Sequence, residues 1–267
     1  RLLPDKLVVH NEVIKEEAQK YLDIPEEHIF ISGIPHFDHY VSFTRSPRDV
    51  FCGRLGIDPK KKIILFASVG HTLNPTEVRV LSYLDKAIQE GVLPHDCIII
   101  FRLHPSGKTH INKSNYSAAV VFDDSKTFIT AGKKVYTEVF ATDMNHLADS
   151  IFHSAVTVNI CSTMSIDAAA FDKPIVNIAF DGWKEQPLHD SVRRFYKPNH
   201  AHYQPIVKSG GVRIAESFNA LIVFIKKYLE DPTLDAEGRK RIVREQFYKL
   251  DGRAGKRVGE FVLFQLM

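Results

Sequence analysis

Short apolar runs rich in β-branched residues alternate along this chain with longer stretches in which apolar positions return at helical spacing. The clearest instance covers residues 155–182. Residues 155–160, AVTVNI, read as a buried strand, and Cys161-Ser162-Thr163 is the turn out of it. Residues 164–171 then carry Ile166, Ala168, Ala169 and Ala170, which suit a helix lying close on a sheet. Asp172-Lys173-Pro174 stops that helix, because a residue preceding proline avoids the α region. Residues 175–180 form a second buried strand. Strand, turn, helix and strand make a βαβ unit, which implies a parallel sheet with a right-handed crossover.

The same alternation predicts the rest. Residues 7–10 are a strand, and Asn11 caps a helix over 12–22 whose inner face is Val13, Ile14, Ala18, Tyr21 and Leu22. Residues 28–32 are the next strand. A polar linker over 42–47 leads to a short helix capped by Ser46, with Pro47 in its first turn, running to Leu55. Strands follow at 63–68 and 97–101, separated by a helix that starts at Pro75 and repeats Val78, Leu81, Leu84 and Ile88. Strands are expected at 118–122 and 135–140, and Thr142-Asp143 caps a helix to Ser154. Residues 183–209, polar and rich in His, Pro and aromatics, form a connection long enough to suggest function. A strand at 212–215, a helix beginning at Ser217 and two more helices over 235–250 and 252–266 close the chain. The expected class is α/β, a Rossmann-like doubly wound parallel sheet over 46–267, preceded over 1–45 by one βαβ unit and a linker. A lone βαβ unit cannot bury both faces, and the chain opens at Arg1 almost directly in a strand. We therefore expect a fragment whose N-terminal part has been removed.

Composition narrows the function classes. With 35 basic and 32 acidic residues and a net charge of +3, the chain lacks the basic excess of a nucleic-acid binder. Three widely spaced cysteines make no disulfide framework, which points to a reducing compartment. No run is long enough for a membrane-spanning helix. Thirteen histidines are scattered without a zinc signature, and no metal site is expected. GxGxxG, P-loop and DxD patterns are all missing, so no visible motif requires Mg²⁺.

In doubly wound sheets ligands sit beyond the carboxyl ends of the strands. That rule selects Gly70 and His71, the run Arg102-Leu103-His104-Pro105, the loop at Thr142-Asp143, and Cys161-Ser162-Thr163. Ser162 and Thr163 can cap a helix or can also seat a phosphate, and their place at a strand exit favours the second reading. Arg102 offers a planar fork and His104 a donor for the same anion, against the alternative that Arg102 pairs with a structural carboxylate. Asp181 and Glu185 are candidates for ribose hydroxyls against the alternative of solvated loop acids, and His202, in the long loop, for an anionic donor against the alternative of a surface residue. Trp183 is a candidate for base stacking against the alternative of packing.

Together these pieces resemble the C-terminal, donor-binding half of a glycosyltransferase of the two-Rossmann-domain (GT-B) architecture. The matching residues are Gly33, Pro35 and Asp38 in the exit from the first domain, Arg102-Leu103-His104-Pro105, Ser162-Thr163 with Asp167-Ala168-Ala169, Lys173-Pro174-Ile175, and the tail Asp251-Gly252-Arg253-Ala254 with Arg257. The pairing of Arg-x-His-Pro with Ser-Thr is similar to capsule and teichoic-acid enzymes, including CDP-glycerol glycerophosphotransferases and transferases of CMP-activated sugars. The resemblance implies that His104, Ser162 and Thr163 are ligands of the donor phosphate. It implies no cofactor, a nucleotide sugar or CDP-polyol donor as substrate, and a glycan or lipid-linked acceptor held by the missing first domain. It supplies no catalytic base within these residues. The expected location is the cytoplasm up to the inner face of the membrane, with peripheral association allowed. A UDP-sugar 2-epimerase-like enzyme and a non-catalytic nucleotide-binding module are the alternatives.

Overall fold

The computed structural model describes residues 3–70, 76–104, 111–124, 128–131, 134–137 and 141–267. Among them the elements run β1 (Leu7–Val9), α1 (Glu12–Leu22), β2 (Ile29–Ile31), α2 (Asp38–Ser42), α3 (Arg48–Leu55), β3 (Lys62–Ala67), α4 (Glu77–Gln89), β4 (Cys97–Arg102), β5 (Val120–Asp123), β6 (Phe128–Ala131), β7 (Lys134–Thr137), α5 (Ala141–His153), β8 (Val156–Asn159), α6 (Met164–Ala170), β9 (Ile175–Ile178), α7 (Gln204–Lys208), β10 (Arg213–Ala215), α8 (Phe218–Glu230), α9 (Ala236–Phe247) and α10 (Ala254–Leu266).

Six strands pair in parallel in the order β10-β9-β8-β3-β4-β5. Side chains alternate across a strand, and here both sets are buried. Ile64, Phe66, Ile99 and Phe101 enter a core completed by α4 and α8. Ile63, Leu65, Ile98 and Ile100 enter a second core with Phe51 of α3, Ile151 of α5, Ala168 of α6 and Ile242 of α9. Helices on both faces are why these strands read as unbroken apolar runs rather than alternating ones. Each fully buried large side chain contributes about 1.5–3 kcal/mol to this assembly.

Alpha-9 lies directly on the chain that leads into β10. A Cβ on Gly238 would sit 2.1 Å from the Gly210 carbonyl carbon and the Gly211 nitrogen, so two backbones touch there. The next side chain, Arg239, is fully buried. Its Nε donates to Asp172 Oδ1 at 2.7 Å, and its terminal nitrogens donate to the carbonyls of Leu234 and Pro232 at 2.6 and 2.9 Å.

The opening unit, in which β1 pairs with β2 in parallel, is completed by the far end of the chain. Arg253 gives α10 no side-chain cap. The carboxylate of Asp38 accepts the first N–H groups of that helix instead, from Ala254 at 2.9 Å and Gly255 at 2.8 Å, satisfying donors that a helix start leaves unpaired. Arg257 Nε donates to the Ser32 carbonyl at 2.7 Å, and Phe261 stacks on Phe30 with ring centres 4.4 Å apart. Gly33, at φ +82°, passes so close that a Cβ would meet the Phe247 carbonyl oxygen at 3.1 Å. The Gly33-to-Asp38 motif and the Asp251-to-Arg257 tail, separate in the sequence reading, are thus two sides of one contact.

Several expectations are corrected. Ser46 does not cap α3: Pro47 holds that position, and the Ser46 hydroxyl accepts from Arg54 instead. An antiparallel pair, β6 with β7, stands where one strand over 135–140 was expected, and residues 138–140 lie outside the described residues, as does Pro75. Thr142 and Asp143 fall within the first turn of α5 rather than in a loop. Residues 183–209 contain two 3₁₀ turns and α7. No helix among the described residues is long and apolar enough to cross a membrane.

Gly238→Ala should lower the free energy of unfolding by about 3 kcal/mol or more, because backbone, not a movable side chain, blocks the new methyl. Gly259→Ala, where nothing lies within 4 Å of the added Cβ on a helix, should raise it by about 0.5–1 kcal/mol. Urea denaturation of both variants checks the pair.

Candidate functional site

The strands β8, β3 and β4 end at one edge of the sheet, with β8 and β4 flanking β3. Their exits are therefore two strand spacings, roughly 10 Å, apart. The turn after β8 brings Cys161, Ser162 and Thr163 to this edge. Cys161 takes a left-handed backbone, φ +32°, which is strained for a residue with a side chain. Its N–H donates to Tyr196 Oη at 3.0 Å, and the Tyr196 hydroxyl donates to the Ile178 carbonyl at 2.9 Å. Ser162 Oγ accepts from the Met164 N–H at 3.3 Å, while the exposed Thr163 opens α6 without a side-chain cap bond.

Beneath this turn lies a buried polar network. Asn177 Nδ2 donates to Asn159 Oδ1 at 2.9 Å and to Ser165 Oγ at 3.1 Å. Ser165 Oγ also bonds Asn159 Oδ1 at 3.1 Å and shares a hydrogen bond with Tyr203 Oη at 2.8 Å. Tyr203 Oη further donates to Asn177 Oδ1 at 2.8 Å. Strands β8 and β9, the start of α6 and the 201–203 turn are thus held at one point. Polar residues inside apolar strands, at 159 and 177, were the available signal for it.

The sequence candidates meet different fates. Arg102 is drawn inward: its guanidinium pairs with Asp123 Oδ2 at 2.6 Å, and His146 Nε2 lies 2.8 Å from Asp123 Oδ1. Burial pushes the Asp123 carboxyl up, but the bond to His146 and the Arg102 charge outweigh it and hold its pKa below the usual range. Arg102 thus takes the structural pairing rather than presenting a phosphate fork. His104 is exposed just past the same strand, and partial desolvation lowers its pKa, disfavouring the charged ring. Gly70 is buried at the end of β3, φ +84°, with its N–H donating to Ser68 Oγ at 3.0 Å. His71 lies outside the described residues.

Asp181, a candidate for ribose hydroxyls, is buried and anchors the loop that follows it. Its carboxylate accepts N–H bonds from Gln186 at 3.1 Å and Val192 at 2.9 Å. Glu185 is exposed and pairs with Arg193 at 3.1 Å. Trp183 is 71% exposed and packs on Phe218, ring centres 4.3 Å apart. His202 does reach the strand ends. It lines, with Val69, Ile160, Cys161, Phe195 and His200, a cavity of about 200 Å³. There Cys161 Sγ and one nitrogen from each of His200 and His202 lie within 4.8 Å of one another. Burial pushes the Cys161 thiol up to about 12, which keeps it protonated and unsuited to nucleophilic attack.

A second buried pair sits behind α6. Tyr40 Oη donates to Asp167 Oδ1 at 2.7 Å, and both residues are buried. Burial raises the Asp167 pKa to about 7 against the opposing effect of the Tyr40 hydrogen bond. Burial, with the neighbouring Asp167, also raises the Tyr40 phenol, while the Arg102 charge works the other way.

Comparison with known proteins gives a consistent family. The family model described as CDP-Glycerol:Poly(glycerophosphate) glycerophosphotransferase matches residues 3–264. Teichoic acid ribitol-phosphate polymerase TarK of Staphylococcus aureus is 23% identical over 264 residues, 93% of this chain but 45% of the relative. The chain therefore spans about half the length of that curated relative. Among solved structures, the wall teichoic acid polymerase TagF matches with a TM-score of 0.62 at 17% identity, covering 98% of this chain and 58% of that one. UDP-GlcNAc 2-epimerase from Methanocaldococcus jannaschii matches with a TM-score of 0.54 at 14% identity, covering 90% and 61%. These likenesses show a shared GT-B-type α/β fold.

The raised carboxyl predicts a pH signature. The ordinary value is 3.8 and the folded value about 7, so the folded state holds an extra proton between them. The stabilisation is full below about pH 4 and is lost as pH rises through about 7. Relative to Asp167→Asn, which cannot ionise, the parent should lose a few kcal/mol across that window. Parallel urea titrations at several pH values would show it, and equal slopes for the two proteins would refute it.

Proposed function

This chain belongs to the CDP-glycerol:poly(glycerophosphate) glycerophosphotransferase family, and we propose on that premise that it is the donor-binding half of a GT-B transferase in wall-polymer synthesis. Its donor is a CDP-activated polyol. An acceptor hydroxyl attacks the phosphorus that carries the polyol, the bond between the two phosphates breaks, CMP leaves with its electron pair, and the acceptor proton passes to a base. That base and the acceptor are assigned to the part of the longer relatives that this chain does not span. The expected place of action is the cytoplasmic face of the membrane.

The observation that carries this reading is the convergence of two exits on one sheet edge. His104 follows β4, Ser162 and Thr163 follow β8, and Gly70 lies at the end of the strand between them. Hydroxyl and imidazole donors fixed there would stabilise charge on the departing nucleotide without reorganising, a term that is large in many enzymes. Their donors suit phosphate oxygens directly, and no carboxylate pair of the kind that holds Mg²⁺ belongs to the proposed set. A TagF variant soaked with CDPG is among the solved structures that share the fold, at 16% identity and a TM-score of 0.62. Likeness to the 2-epimerase is one of fold, whereas the family match runs through nearly the whole chain.

Titration calorimetry with CDP-glycerol should show affinity falling about tenfold in His104→Ala and in Thr163→Ala, with melting temperatures unchanged. Arg102→Met should instead lower the melting temperature, because it strands the Asp123 carboxylate. Parent affinity in both the His104 and Thr163 variants would remove the assignment. Formation of an isomerised sugar from a UDP-sugar without acceptor would favour epimerase chemistry.

A further inference from the structure

The cavity at the carboxyl ends of β3 and β8 brings together three side chains that the proposed donor chemistry does not use. We propose that Cys161, His200 and His202 form a three-ligand site for Zn²⁺, with its fourth position open to the cavity. Their ligand atoms lie within 4.8 Å of one another. A tetrahedral zinc with a sulfur at about 2.3 Å and nitrogens at about 2.0–2.1 Å needs its donors roughly 3.3–3.6 Å apart. Closing the cluster by about 1 Å is within the reach of side-chain rotation.

The donors come from two segments that are tied to each other. Cys161 is locked by its bond to Tyr196 at the end of β8. His200 and His202 flank the start of a 3₁₀ turn whose last residue, Tyr203, is pinned into the Asn159–Asn177–Ser165 network. The His200 N–H bonds the Lys197 carbonyl at 2.9 Å, and its ring packs edge-on to Phe195, centres 5.2 Å apart. Arg194 has its guanidinium over the Phe195 ring at 4.5 Å and donates to the His189 carbonyl.

One thiolate and two imidazoles form a borderline-soft set that suits Zn²⁺ and not Mg²⁺, which requires oxygen ligands. As the Zn–Sγ bond forms, the thiol proton passes to solvent. Three protein ligands leave one position for water or another oxygen, the pattern of an open rather than a structural site. Val69, Ile160 and Phe195 line the same cavity, and Ser162 and Thr163 follow Cys161 in the chain. Where the donor reading above holds, a phosphate oxygen of the donor is the ligand that fits there. That extension rests on the donor reading, and the site itself does not.

The test uses the whole chain stripped of metal by a chelator. Zn²⁺ alone, followed by calorimetry, should bind one equivalent per chain. Co²⁺ should give a thiolate-to-metal charge-transfer band in the near ultraviolet that Cys161→Ser abolishes. Affinity for Zn²⁺ should fall by more than about tenfold in Cys161→Ser and in His202→Ala. It should stay at the parent value in His189→Ala, whose exposed ring lies outside the cluster. Circular dichroism of each metal-free variant confirms that the fold persists. Absence of stoichiometric binding, or parent affinity in both cluster variants, would overturn the site. CDP-glycerol titrated with and without bound Zn²⁺ then tests the extension separately: a donor that binds equally in both cases would sink the shared ligand and leave the metal site standing.

Discussion

The hydrogen bonds among Asn159, Asn177, Ser165 and Tyr203 are the constraint on which the sheet edge depends. All four residues are buried, and apart from the Asn159 Nδ2, which has no partner among the described residues, their side-chain polar atoms satisfy one another; an unmet group there costs about 1–3 kcal/mol. A network of this kind tolerates little displacement, because shifting one member strains the rest. Two strands, the start of a helix and a turn from the long connection therefore hold one mutual geometry. The exposed side chains around them, Thr163 on one side and the 200–202 segment on the other, inherit positions that none of them could hold alone.

Charge at this edge is arranged with equal economy. The one arginine on the β4 exit is neutralised by Asp123, its register partner in β5, so it stiffens the strand end instead of reaching outward. Desolvation disfavours the charged form of His104 beyond it. Under the donor reading proposed above, an anion here would meet N–H and O–H groups of the β4 and β8 exits rather than the Arg102 guanidinium. Such groups select by direction and distance, whereas lysines and arginines attract any anion over a Debye length.

How much of this was visible in the sequence follows from the range of the interactions involved. The buried strands, α1 with its Asn11 cap and α8 with its Ser217 cap were legible, since hydrophobic period and capping chemistry act within a few residues. The Ser-Thr turn and its place at a strand exit were legible for the same reason. The fate of Arg102 was not: whether an arginine points out or pairs depends on which strand lies beside it, and Asp123 belongs to a strand whose register no local pattern reveals. Asp181 likewise looked like a solvated loop acid or a sugar ligand until the loop folded back to give it two N–H donors. The Cys161 and His200/His202 assembly joins distant segments, so no spacing rule could announce it. Ser46 misled because hydroxyl capping competes with other partners, and here Arg54 wins.

The clasp between Asp38 and the first turn of α10 joins residues 216 positions apart. Its partners are therefore made at very different times. At about 5–20 residues per second, the ribosome finishes the opening βαβ segment roughly 10–40 s before the helix that completes it exists. For that interval Phe30 lacks its stacking partner, Phe261, and the Asp38 carboxylate lacks the N–H groups it accepts. The segment that holds Phe30 and Asp38 thus waits for the far end of the same chain before its contacts with α10 can be made.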